Sequence, residues 1–513
     1  MKAGRRLVVV SNRLPITAVE NAQQFQRSGG GLINALVPLL DDSWGCWVGW
    51  TGTHDEPKMA KVLNEWSATK QCPFGPVFLT AAERASFYRG FSNEIIWPLF
   101  HGLPSRCQFE TTYWEGYRKA NKKFADVVVK VSRPDDFVWV HDYHLMMVAQ
   151  ELRSRGMGNS IAYFHHIPFP SPDIFETLPW RNEVLQALMC FNSLGFQTVH
   201  DRRNFIACLR RCMPHIRVGH AGKTLQVRAG GQCAHAGAYP ISVDFEGFAR
   251  DAAGTTISSG SKAIENQFPD MQIILGIDRL DYTKGIPERL IAFEKLLISR
   301  PGLHGRVNMV QIVVPSREEI PEYNQLRLRI ETLIGKINGQ YSKPGWVPIH
   351  YFYRSISRNE LIAFYRAAQV ALVTPLKDGM NLVAKEFCAS RIDNRGVLVL
   401  SEFAGAAEEL KCGAMLVNPH DTETVAGVLD VALSMDESEQ SSRMKSMRLQ
   451  IRDHDVFNWY RAFRTATEGS VLTMEESPIR PLSSPVPEVS RVPLRRAFAE
   501  FQFPAPGRGV EGR

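Results

Sequence analysis

Two basic side chains lie close together after an apolar run in the second half of the chain. Arg279 ends the run MQIILGIDR, and Lys284 follows it just before a segment with helical periodicity. Two cations beside the unpaired N–H groups of a helix N-terminus predict a diphosphate site. They would also stabilise the charge on a departing nucleoside diphosphate. The alternative is that both cations form ordinary ion pairs with Asp278, Asp281 or Glu288.

A second constellation occurs in the segment KDGMNLVAKEF. Asp378 ends an apolar run, the turn Gly379–Asn381 follows, and the predicted helix after it carries Glu386. Asp378 could accept hydrogen bonds from sugar hydroxyls, and Glu386 could accept them from a pair of ribose hydroxyls, while the turn offers backbone N–H groups. The alternative is an ordinary capped helix with acidic residues near its start.

The first half of the chain offers an arginine and a run of glycines. Arg13 closes the opening apolar run within Ser11-Asn12-Arg13, and Gly29–Gly31 precede the predicted helix LINALVPLL. Glycines let the backbone approach a ligand closely, although a flexible turn would look the same. The run is not a GxGxxG motif with an acidic residue ~20 positions later, so nicotinamide binding is not indicated.

Histidines follow two apolar runs and could suggest a metal site. His141, Asp142 and His144 follow FVWV, whereas His165 and His166 end IAYF. Adjacent residues of a strand point to opposite faces, so only one of the last two can enter a cleft. A single histidine there is more often a hydrogen-bonding residue than a ligand, and we predict no metal site.

A set of aromatic residues could serve either the core or a sugar. Flat aromatic walls cover the apolar faces of sugar rings, and a tyrosine hydroxyl can donate to a phosphate. Packing in the core is the alternative role. The set is Trp47, Trp50, Tyr88 and Trp97.

The elements that must position these residues are those of an α/β protein. Short runs rich in Val and Ile alternate with segments of helical periodicity, which is typical of parallel sheets with crossover helices. Ligands of such sheets bind beyond the carboxyl ends of the strands. The runs are RLVVVSNR, DFVWVHDYHL, NSIAYFHHIPFP, NSLGFQTVHD, MQIILGIDRLDYTKG, VNMVQIVVPSR, WVPIHYFYRS, VALVTPLKDGMN and GVLVLSEFAGAAEEL.

The length of 513 residues exceeds the ~250 to 300 that one hydrophobic core supports. We predict two Rossmann-like, doubly wound domains that face a cleft, at residues 1–240 and 241–455, with a Gly-, Ser- and Thr-rich connection near Ala238–Ser261. A C-terminal helix at 456–468 is expected to cross back to the first domain. Residues 469–513, rich in Pro and Arg, are predicted to form a flexible tail.

Composition excludes several classes of protein. Hydrophobic residues make up 44% and charged residues 22%, as in soluble globular proteins, and no apolar stretch is long enough to span a membrane. Nine cysteines without a CxxC pair suit reduced thiols, so we expect a cytoplasmic protein. The net charge of +7 is spread along the chain, which does not indicate nucleic-acid binding and favours small anionic ligands.

In this order, the motifs resemble those of the retaining trehalose-6-phosphate synthase family. The resemblance covers roughly residues 6 to 467, and it implies the GT-B arrangement of two Rossmann-like domains. It rests on RLVVVSNR, GGGL, WVGWTG, FYRGFSNEIIWPLFH, VWVHDYHL, FHHIPFP, DRLDYTKGIPER, VVPSRE, LVTPLKDGMNLVAKEF and LSEFAGAAEEL.

The resemblance implies a role for each candidate residue. Catalytic residues would be His166, Arg279, Lys284 and Asp142, with His166 holding the donor glucose. The donor site would comprise Gly30, Arg279, Lys284, Asp378, Gly379, Met380, Asn381, Leu382, Val383 and Glu386, with the two cations on the diphosphate, Glu386 on the ribose, and Asp378 with the turn on the transferred glucose. The acceptor site would comprise Arg13, Tyr88 and Arg317 at the phosphate, with Trp97 and Asp142 at the sugar.

The resemblance further implies glucose transfer from UDP-glucose to glucose 6-phosphate by a same-face mechanism, without a metal or cofactor. Family members are often dimers or tetramers, so a homo-oligomer is expected. The segment FHHIPFPSPDIFETLPWR, with His165, is also similar to glucosylglycerol-phosphate synthases, which use glycerol 3-phosphate. The opening Ser-Asn-Arg favours glucose 6-phosphate. A catalytically silent sugar-phosphate sensor is the remaining alternative.

Overall fold

The computed structural model describes residues 5–18, 25–27, 31–42, 45–52 and 73–473. Its strands are β1 (Leu7–Arg13), β2 (Ile16–Ala18), β3 (Phe25–Arg27), β4 (Cys46–Trp50), β5 (Phe74–Val77), β6 (Phe137–His141), β7 (Ser160–Phe164), β8 (Ser193–Phe196), β9 (Arg217–Ala221), β10 (Thr224–Ala229), β11 (Gln232–Ala238), β12 (Gln272–Arg279), β13 (Val307–Val314), β14 (Ile349–Tyr353), β15 (Val370–Val373), β16 (Val397–Ser401) and β17 (Met415–Val417).

The helices alternate with these strands along most of the chain. They are α1 (Gly31–Asp42), α2 (Ala81–Glu83), a π-helical stretch (Arg84–Ile96), α3 (Trp97–Phe100), α4 (Thr111–Val131), α5 (Val148–Ser154), α6 (Pro172–Phe175), α7 (Arg181–Leu188), α8 (Val199–Cys212), α9 (Phe245–Ala252), α10 (Thr255–Gln267), α11 (Ile286–Ser299), α12 (Pro321–Tyr341), α13 (Arg358–Ala367), α14 (Leu382–Ser390), α15 (Ala407–Leu410), α16 (Thr422–Ser434), α17 (Glu437–Asp453) and α18 (Val456–Thr473).

The first lobe, which comprises the described residues up to 238, contains a nine-stranded sheet in the order β5-β4-β1-β6-β7-β8-β11-β10-β9. All its pairs are parallel except those that β10 makes with β9 and β11. The central strands β6 and β7 are buried along their whole length. Burial on both faces explains their near-continuous apolar sequences.

The second lobe, residues 239–455, contains a parallel six-stranded sheet in the order β14-β13-β12-β15-β16-β17. The strand order reverses between β12 and β15 here and between β1 and β6 in the first lobe, and ligands of doubly wound sheets bind at such switch points. Candidate residues follow all four strands, including Arg13, Asp142, Arg279 and Asp378. The predicted α/β class with two Rossmann-like sheets is confirmed.

Several elements were not predicted from apolar runs. Strands β9, β10 and β11 are polar or rich in Gly and Ala, as in RVGHA and QCAHAGA, and β17 is only a short segment, MLV. Residues 238–261 are not simply a connection, because α9 and the start of α10 lie there. Asp244 caps α9, and Phe245 and Phe248 are buried, so tertiary packing outweighs the weak helix propensity of Gly, Ser and Thr.

The last helix, α18, packs against the first sheet. Trp459, Tyr460 and Phe463 contact the ring of Trp139 in β6, with centroid separations of 4.9, 5.4 and 5.3 Å. The helix continues to Thr473, beyond the predicted boundary at residue 468, because the first helix-breaking proline of the tail comes only later. Residues 474–513, the rest of the predicted tail, lie outside the described residues.

Candidate active site

Lys284 and Asp378 meet at the end of the second sheet. Lys284 Nζ lies 2.6 Å from Asp378 Oδ2, and both side chains are largely buried. The two residues come from different connections, one after β12 and the other after β15. Burial would raise the pKa of Asp378, but Lys284 and the backbone N–H of Met380 more than offset this and lower it. Asp378 is therefore ionised and pairs with Lys284.

The segment between β12 and α11 brings Lys284 to a helix start. Residues Tyr282–Lys284 form one 3₁₀ turn, and Gly285 follows with a φ of 64°. A Cβ on Gly285 would lie 2.2 Å from the carbonyl oxygen of Thr374, so both the left-handed backbone and the close approach require glycine. Helix α11 then begins with Ile286 and Pro287, and the predicted helix start after Lys284 is confirmed.

The turn after Asp378 packs against the first lobe. A Cβ on Gly379 would lie 2.6 Å from the carbonyl oxygen of His166 and 2.8 Å from the carbonyl carbon of Ile167. Asn381 then adopts a φ of 69° and caps α14 by accepting a hydrogen bond from the N–H of Ala384. The predicted turn and helix are confirmed, and the turn carries the N-terminus of α14 into the gap between the lobes.

Glu386 lies deeper, beside a cavity between the lobes. The hydroxyl of Tyr365 donates to Glu386 Oε2 at 2.9 Å, and burial raises the pKa of this carboxyl. The cavity has a volume of about 310 Å³, and its lining includes Gly31, Leu382 and Arg358. Glu386 thus offers carboxylate oxygens to a ligand that reaches past the start of α14.

Several cations converge on Tyr88 at the end of the first sheet. The guanidinium carbon of Arg13 lies 4.2 Å from the ring centroid of Trp50 and 5.6 Å from that of Tyr88. Burial would raise the pKa of Tyr88, but the positive charges of Arg317, Arg13 and Arg279 outweigh it and lower this pKa. The guanidinium groups of Arg13 and Arg317 at this phenol form a site suited to an anion such as a phosphate.

Arg317 reaches this pocket from the second lobe. Its guanidinium lies 4.2 Å from the ring centroid of Trp97 and donates to Asp281 Oδ2 at 3.0 Å. It also donates to the hydroxyl of Tyr323 at 2.5 Å and to that of Tyr143 at 3.3 Å. Because Tyr143 belongs to the first lobe, Arg317 spans the gap.

Asp142 lies beside the arginines with an unusual backbone. Its φ is 74°, which is uncommon for a residue other than glycine and often marks a functional position. Burial raises the pKa of Asp142 to about 7, although the N–H groups of Tyr143 and His166 and the charges of Arg279 and Arg317 lower it. The carboxyl can therefore change its protonation near neutral pH.

His166 is fixed by hydrogen bonds on both ring nitrogens. Gln197 Oε1 accepts from the N–H of Ile241 at 2.9 Å, so its amide NH₂ donates to His166 Nδ1 at 3.1 Å. His166 Nε2 must then carry the proton and donate to His141 Nδ1 at 3.0 Å. The ring is buried, and the backbone of His166 faces the turn at Gly379.

His165 points the other way, as the alternation along a strand predicts. Its Nδ1 lies 2.9 Å from the hydroxyl of Tyr163, and its ring packs among Phe100, Phe169 and Phe196. His165 therefore belongs to the core of the first lobe. Its presence, which prompted the glycerol 3-phosphate alternative, has no direct bearing on the acceptor pocket.

The structure brings most of the candidate residues to one gap between the lobes. Gly30 lies outside the described residues, whereas its neighbour Gly31 begins α1 and faces Leu382. Of the four aromatic candidates, Trp47 belongs to the core, and its indole N–H donates to Ser11 Oγ at 2.8 Å. Trp50 contributes to the pocket instead, by stacking with Arg13.

Two residues at the gap were not singled out from the sequence. His101 is buried against Trp97 and is influenced by the charges of Asp281, Lys284 and Asp378, and burial lowers its pKa to about 4. Tyr323 shares Arg317 with Asp281. His101 is only the last residue of the aromatic-rich segment FYRGFSNEIIWPLFH, and nothing in the local sequence marks Tyr323.

In the part of the chain that the structure describes, no three His, Cys, Asp or Glu side chains are grouped so that they could hold a metal ion. None of the helices in the same ranges is both long and apolar enough to span a membrane.

Two facing Rossmann-like sheets, with cations, carboxylates and a helix start across the gap between them, define a glycosyltransferase of the GT-B class. A family model described as Glycosyltransferase family 20 matches residues 5–468. The chain belongs to this family.

Individual relatives agree with this assignment. A trehalose-6-phosphate synthase of Mycobacterium marinum is 41% identical over 471 residues, which cover 90% of this chain and 94% of the relative. The solved E. coli trehalose-6-phosphate protein bound with UDP-2-fluoro glucose is 37% identical, with a TM-score of 0.81 and coverage of 90% of this chain and 99% of that one.

A further structure was solved with a sugar phosphate. It is an alpha,alpha-trehalose-phosphate synthase (UDP-forming) from Burkholderia xenovorans in complex with glucose-6-phosphate, 35% identical to this chain, with a TM-score of 0.82. The alignment covers 90% of this chain and all of that one. The likeness therefore extends over both lobes.

Proposed function

We propose that this chain transfers glucose from UDP-glucose to glucose 6-phosphate, with retention of configuration, to form trehalose 6-phosphate and UDP. The observation that carries the proposal is the presence of two anion sites at one gap: Arg13 and Arg317 lie at Tyr88, and Lys284 pairs with Asp378 near the start of α14. One side suits a phosphorylated acceptor, and the other suits a sugar diphosphate. The solved relatives, one bound with UDP-2-fluoro glucose and one in complex with glucose-6-phosphate, support both halves.

On the donor side, Arg279 and Lys284 hold the diphosphate, together with backbone N–H groups at the start of α14. Glu386 accepts hydrogen bonds from the ribose hydroxyls. The transferred glucose lies against Asp378 and the turn after it, and His166 is the residue of the first lobe that we propose to lie beside this sugar. The turn that provides these contacts comprises Gly379, Met380, Asn381, Leu382 and Val383.

On the acceptor side, Arg13, Tyr88 and Arg317 hold the phosphate. Trp97 covers a face of the acceptor sugar, and Asp142 accepts a hydrogen bond from one of its hydroxyls. The support for this assignment is geometric, because guanidinium groups form paired hydrogen bonds with phosphate and aromatic rings pack against sugar faces.

The reaction follows from this placement. The acceptor hydroxyl attacks the anomeric carbon from the face that the diphosphate leaves, and the departing phosphate oxygen takes the hydroxyl proton. The protein's contribution is to position both substrates and to stabilise the charge that develops on the diphosphate, through Arg279 and Lys284. We propose that neither a metal nor a cofactor takes part, because the two cations can supply the charge stabilisation.

A donor-by-acceptor assay tests the proposal. The purified chain is incubated with UDP-, ADP- or GDP-glucose and with glucose 6-phosphate, glycerol 3-phosphate or glucose, and the products are identified by mass. We expect the disaccharide phosphate from UDP-glucose and glucose 6-phosphate. Preferential glucosylation of glycerol 3-phosphate would instead favour the alternative acceptor, and binding of nucleotide without any product would favour a silent sensor.

The wider context of the enzyme follows from the same proposal. Its partners are a sugar nucleotide and a sugar phosphate, with no role for nucleic acid or a membrane. We propose a cytoplasmic location, where both substrates are available, and a homo-oligomeric state, either a dimer or a tetramer. Size-exclusion chromatography with light scattering measures the latter directly.

A further inference from the structure

Asp281 lies between the residues proposed for the two substrates. Its Oδ2 accepts a hydrogen bond from Arg317 at 3.0 Å and lies 3.3 Å from the hydroxyl of Tyr323. Its Oδ1 accepts from the N–H of Thr283 at 3.0 Å and from Thr283 Oγ1 at 2.9 Å. One carboxylate oxygen thus faces the acceptor-phosphate residue, and the other faces the turn that leads to Lys284.

The carboxylate of Asp281 is buried and charged. Its residue is 2% exposed, and burial alone would raise its pKa. The charges of Arg317 and Lys284, together with the N–H of Thr283, outweigh burial and lower this pKa. A buried carboxylate with all its partners in place holds them in fixed positions, since separating the pair would leave an uncompensated charge.

The turn that Asp281 holds is connected to the rest of the donor site. The N–H of Lys284 donates to the carbonyl oxygen of Asp281 at 3.1 Å, and the carbonyl oxygen of Thr283 accepts from the N–H of Leu376 at 2.7 Å. Leu376 lies just before Asp378, the partner of Lys284. Hydrogen bonds therefore run from Arg317 through Asp281 to the backbone of Lys284, and from Thr283 to Leu376, two residues before Asp378.

We propose that Asp281 is a positioning residue that couples the acceptor-phosphate site to the donor-diphosphate site. A phosphate bound by Arg317 fixes the guanidinium against Asp281, and Asp281 then fixes the turn that presents Lys284. Each ligand would thus reduce the ordering that the other requires, and this reciprocal effect defines coupling between two sites. The identity of the two ligands rests on the proposed function.

Calorimetric titration of the full chain tests the coupling without turnover. UDP is titrated in the absence and in the presence of saturating glucose 6-phosphate, and the reverse titration checks reciprocity. For the wild-type chain, we expect each ligand to lower the dissociation constant of the other by at least about 5-fold, within the range usual for coupled sites. For Asp281→Asn, which has the same shape but no charge, we expect that factor to fall to about 1.

The same variant should still bind each ligand separately. Because the substitution removes a negative charge near two anion sites, it should not weaken either site electrostatically, and we expect each binary dissociation constant to lie between the wild-type value and about 3-fold below it. A merely structural role would instead weaken both binary affinities and leave unchanged the factor by which one ligand alters the affinity for the other. The coupling factor therefore distinguishes positioning from general damage.

Asp278→Asn is the matched control. Asp278 is another buried carboxylate of the same segment, and it pairs with Arg289 at 2.7 Å rather than with Arg317. We expect this variant to lose stability but to keep the wild-type coupling factor. If Asp281→Asn does not fold, Thr283→Val removes only the hydroxyl contact, and we expect the coupling to fall at least 2-fold there.

An unchanged coupling factor in Asp281→Asn, or in Thr283→Val where the first variant does not fold, would overturn the proposal, as would a wild-type chain that shows no coupling. The proposed function can fail separately. A wild-type chain that binds both ligands cooperatively but transfers no glucose would refute the function and leave the positioning role in place.

Discussion

The two sides of the gap are built in different ways. The donor side comes mainly from two short segments of the chain, Arg279–Pro287 and Asp378–Glu386, each joining a strand to a helix. The acceptor side gathers Arg13, Tyr88 and Arg317 from three distant parts of the chain. The donor side thus depends on local backbone geometry, whereas the acceptor side depends on the packing of whole elements.

The largest effect is expected on the donor side, where charge develops during the reaction. Lys284→Ala removes the cation beside Asp378 and leaves that carboxylate without its ion-pair partner. We expect kcat/KM to fall by about 10²- to 10⁴-fold, mainly through kcat, because the interaction strengthens in the transition state. Steady-state assays with UDP-glucose and glucose 6-phosphate measure this, and Arg279→Ala should behave similarly.

Lys295→Ala provides the comparison for Lys284→Ala. Lys295 lies on α11, the helix that follows Lys284, and pairs with the exposed Glu423 at 2.7 Å. We expect its kcat/KM to equal that of wild type, because a surface ion pair contributes ~0 to 1 kcal/mol. Wild-type turnover in Lys284→Ala would remove the diphosphate role from this lysine.

A smaller and different effect is expected for Arg13→Ala on the acceptor side. Loss of one of the two guanidinium groups assigned to the acceptor phosphate should raise KM for glucose 6-phosphate by about 10- to 100-fold, since a charge-assisted hydrogen bond contributes about 1.5–3 kcal/mol. The change in kcat should be smaller. Unphosphorylated glucose serves as the internal control, because its transfer should be equally slow in both proteins. A KM that did not rise would separate Arg13 from the phosphate.

The sequence predicts the donor side better than the acceptor side, because only the donor side depends on local backbone geometry. The helix start after Lys284 and the turn after Asp378 depend on neighbouring glycines, a proline and an asparagine, so the local sequence predicts them. The sequence also offers Asp281 as a partner for Arg279 or Lys284. In the structure it pairs with Arg317, because β13 places that residue beside β12 only after the sheet has formed.

The histidines show the same limit of prediction from the sequence. Strand alternation correctly predicts that His165 and His166 point in opposite directions. It does not predict that Gln197, at the end of β8, and His141, at the end of β6, occupy both nitrogens of His166. Those contacts depend on the order of the strands in the sheet, and the polar strands β9, β10 and β11 escape detection because their sequences lack an apolar run.

Close packing between the lobes gives a third prediction. Gly379→Ala adds a methyl group 2.6 Å from the carbonyl oxygen of His166. Because backbone lies on both sides of this contact, the turn must move, and we expect kcat/KM to fall about 10-fold, in line with an overpacking cost of about 1–3 kcal/mol. Gly427→Ala, at a position with no atom within 4 Å of the added Cβ, is the control and should keep full activity.

The smallest change in stability, and the one with the most informative pH dependence, is expected at Asp142. Its pKa of about 7 lies above the ordinary value. Between about pH 4 and 7, the folded chain therefore keeps a proton on this carboxyl that the unfolded chain releases. Stability from this group is thus fully present below about pH 4 and is lost as the pH rises to about 7. Asp142→Asn cannot ionise, and we expect it to unfold at a higher temperature than wild type at pH 8 but not at pH 4.

The same titration should appear in the activity with the opposite sign. The ionised carboxylate is proposed to accept a hydrogen bond from a hydroxyl group of glucose 6-phosphate. Its protonation should therefore lower kcat/KM for this substrate as the pH drops below about 7. In Asp142→Asn, that limb should vanish and the remaining activity should be low at every pH. Thermal melts and pH–rate profiles on both proteins measure the two effects together. An acid limb that persisted in Asp142→Asn would have to come from another group, such as the substrate phosphate, and would exclude Asp142 as its source.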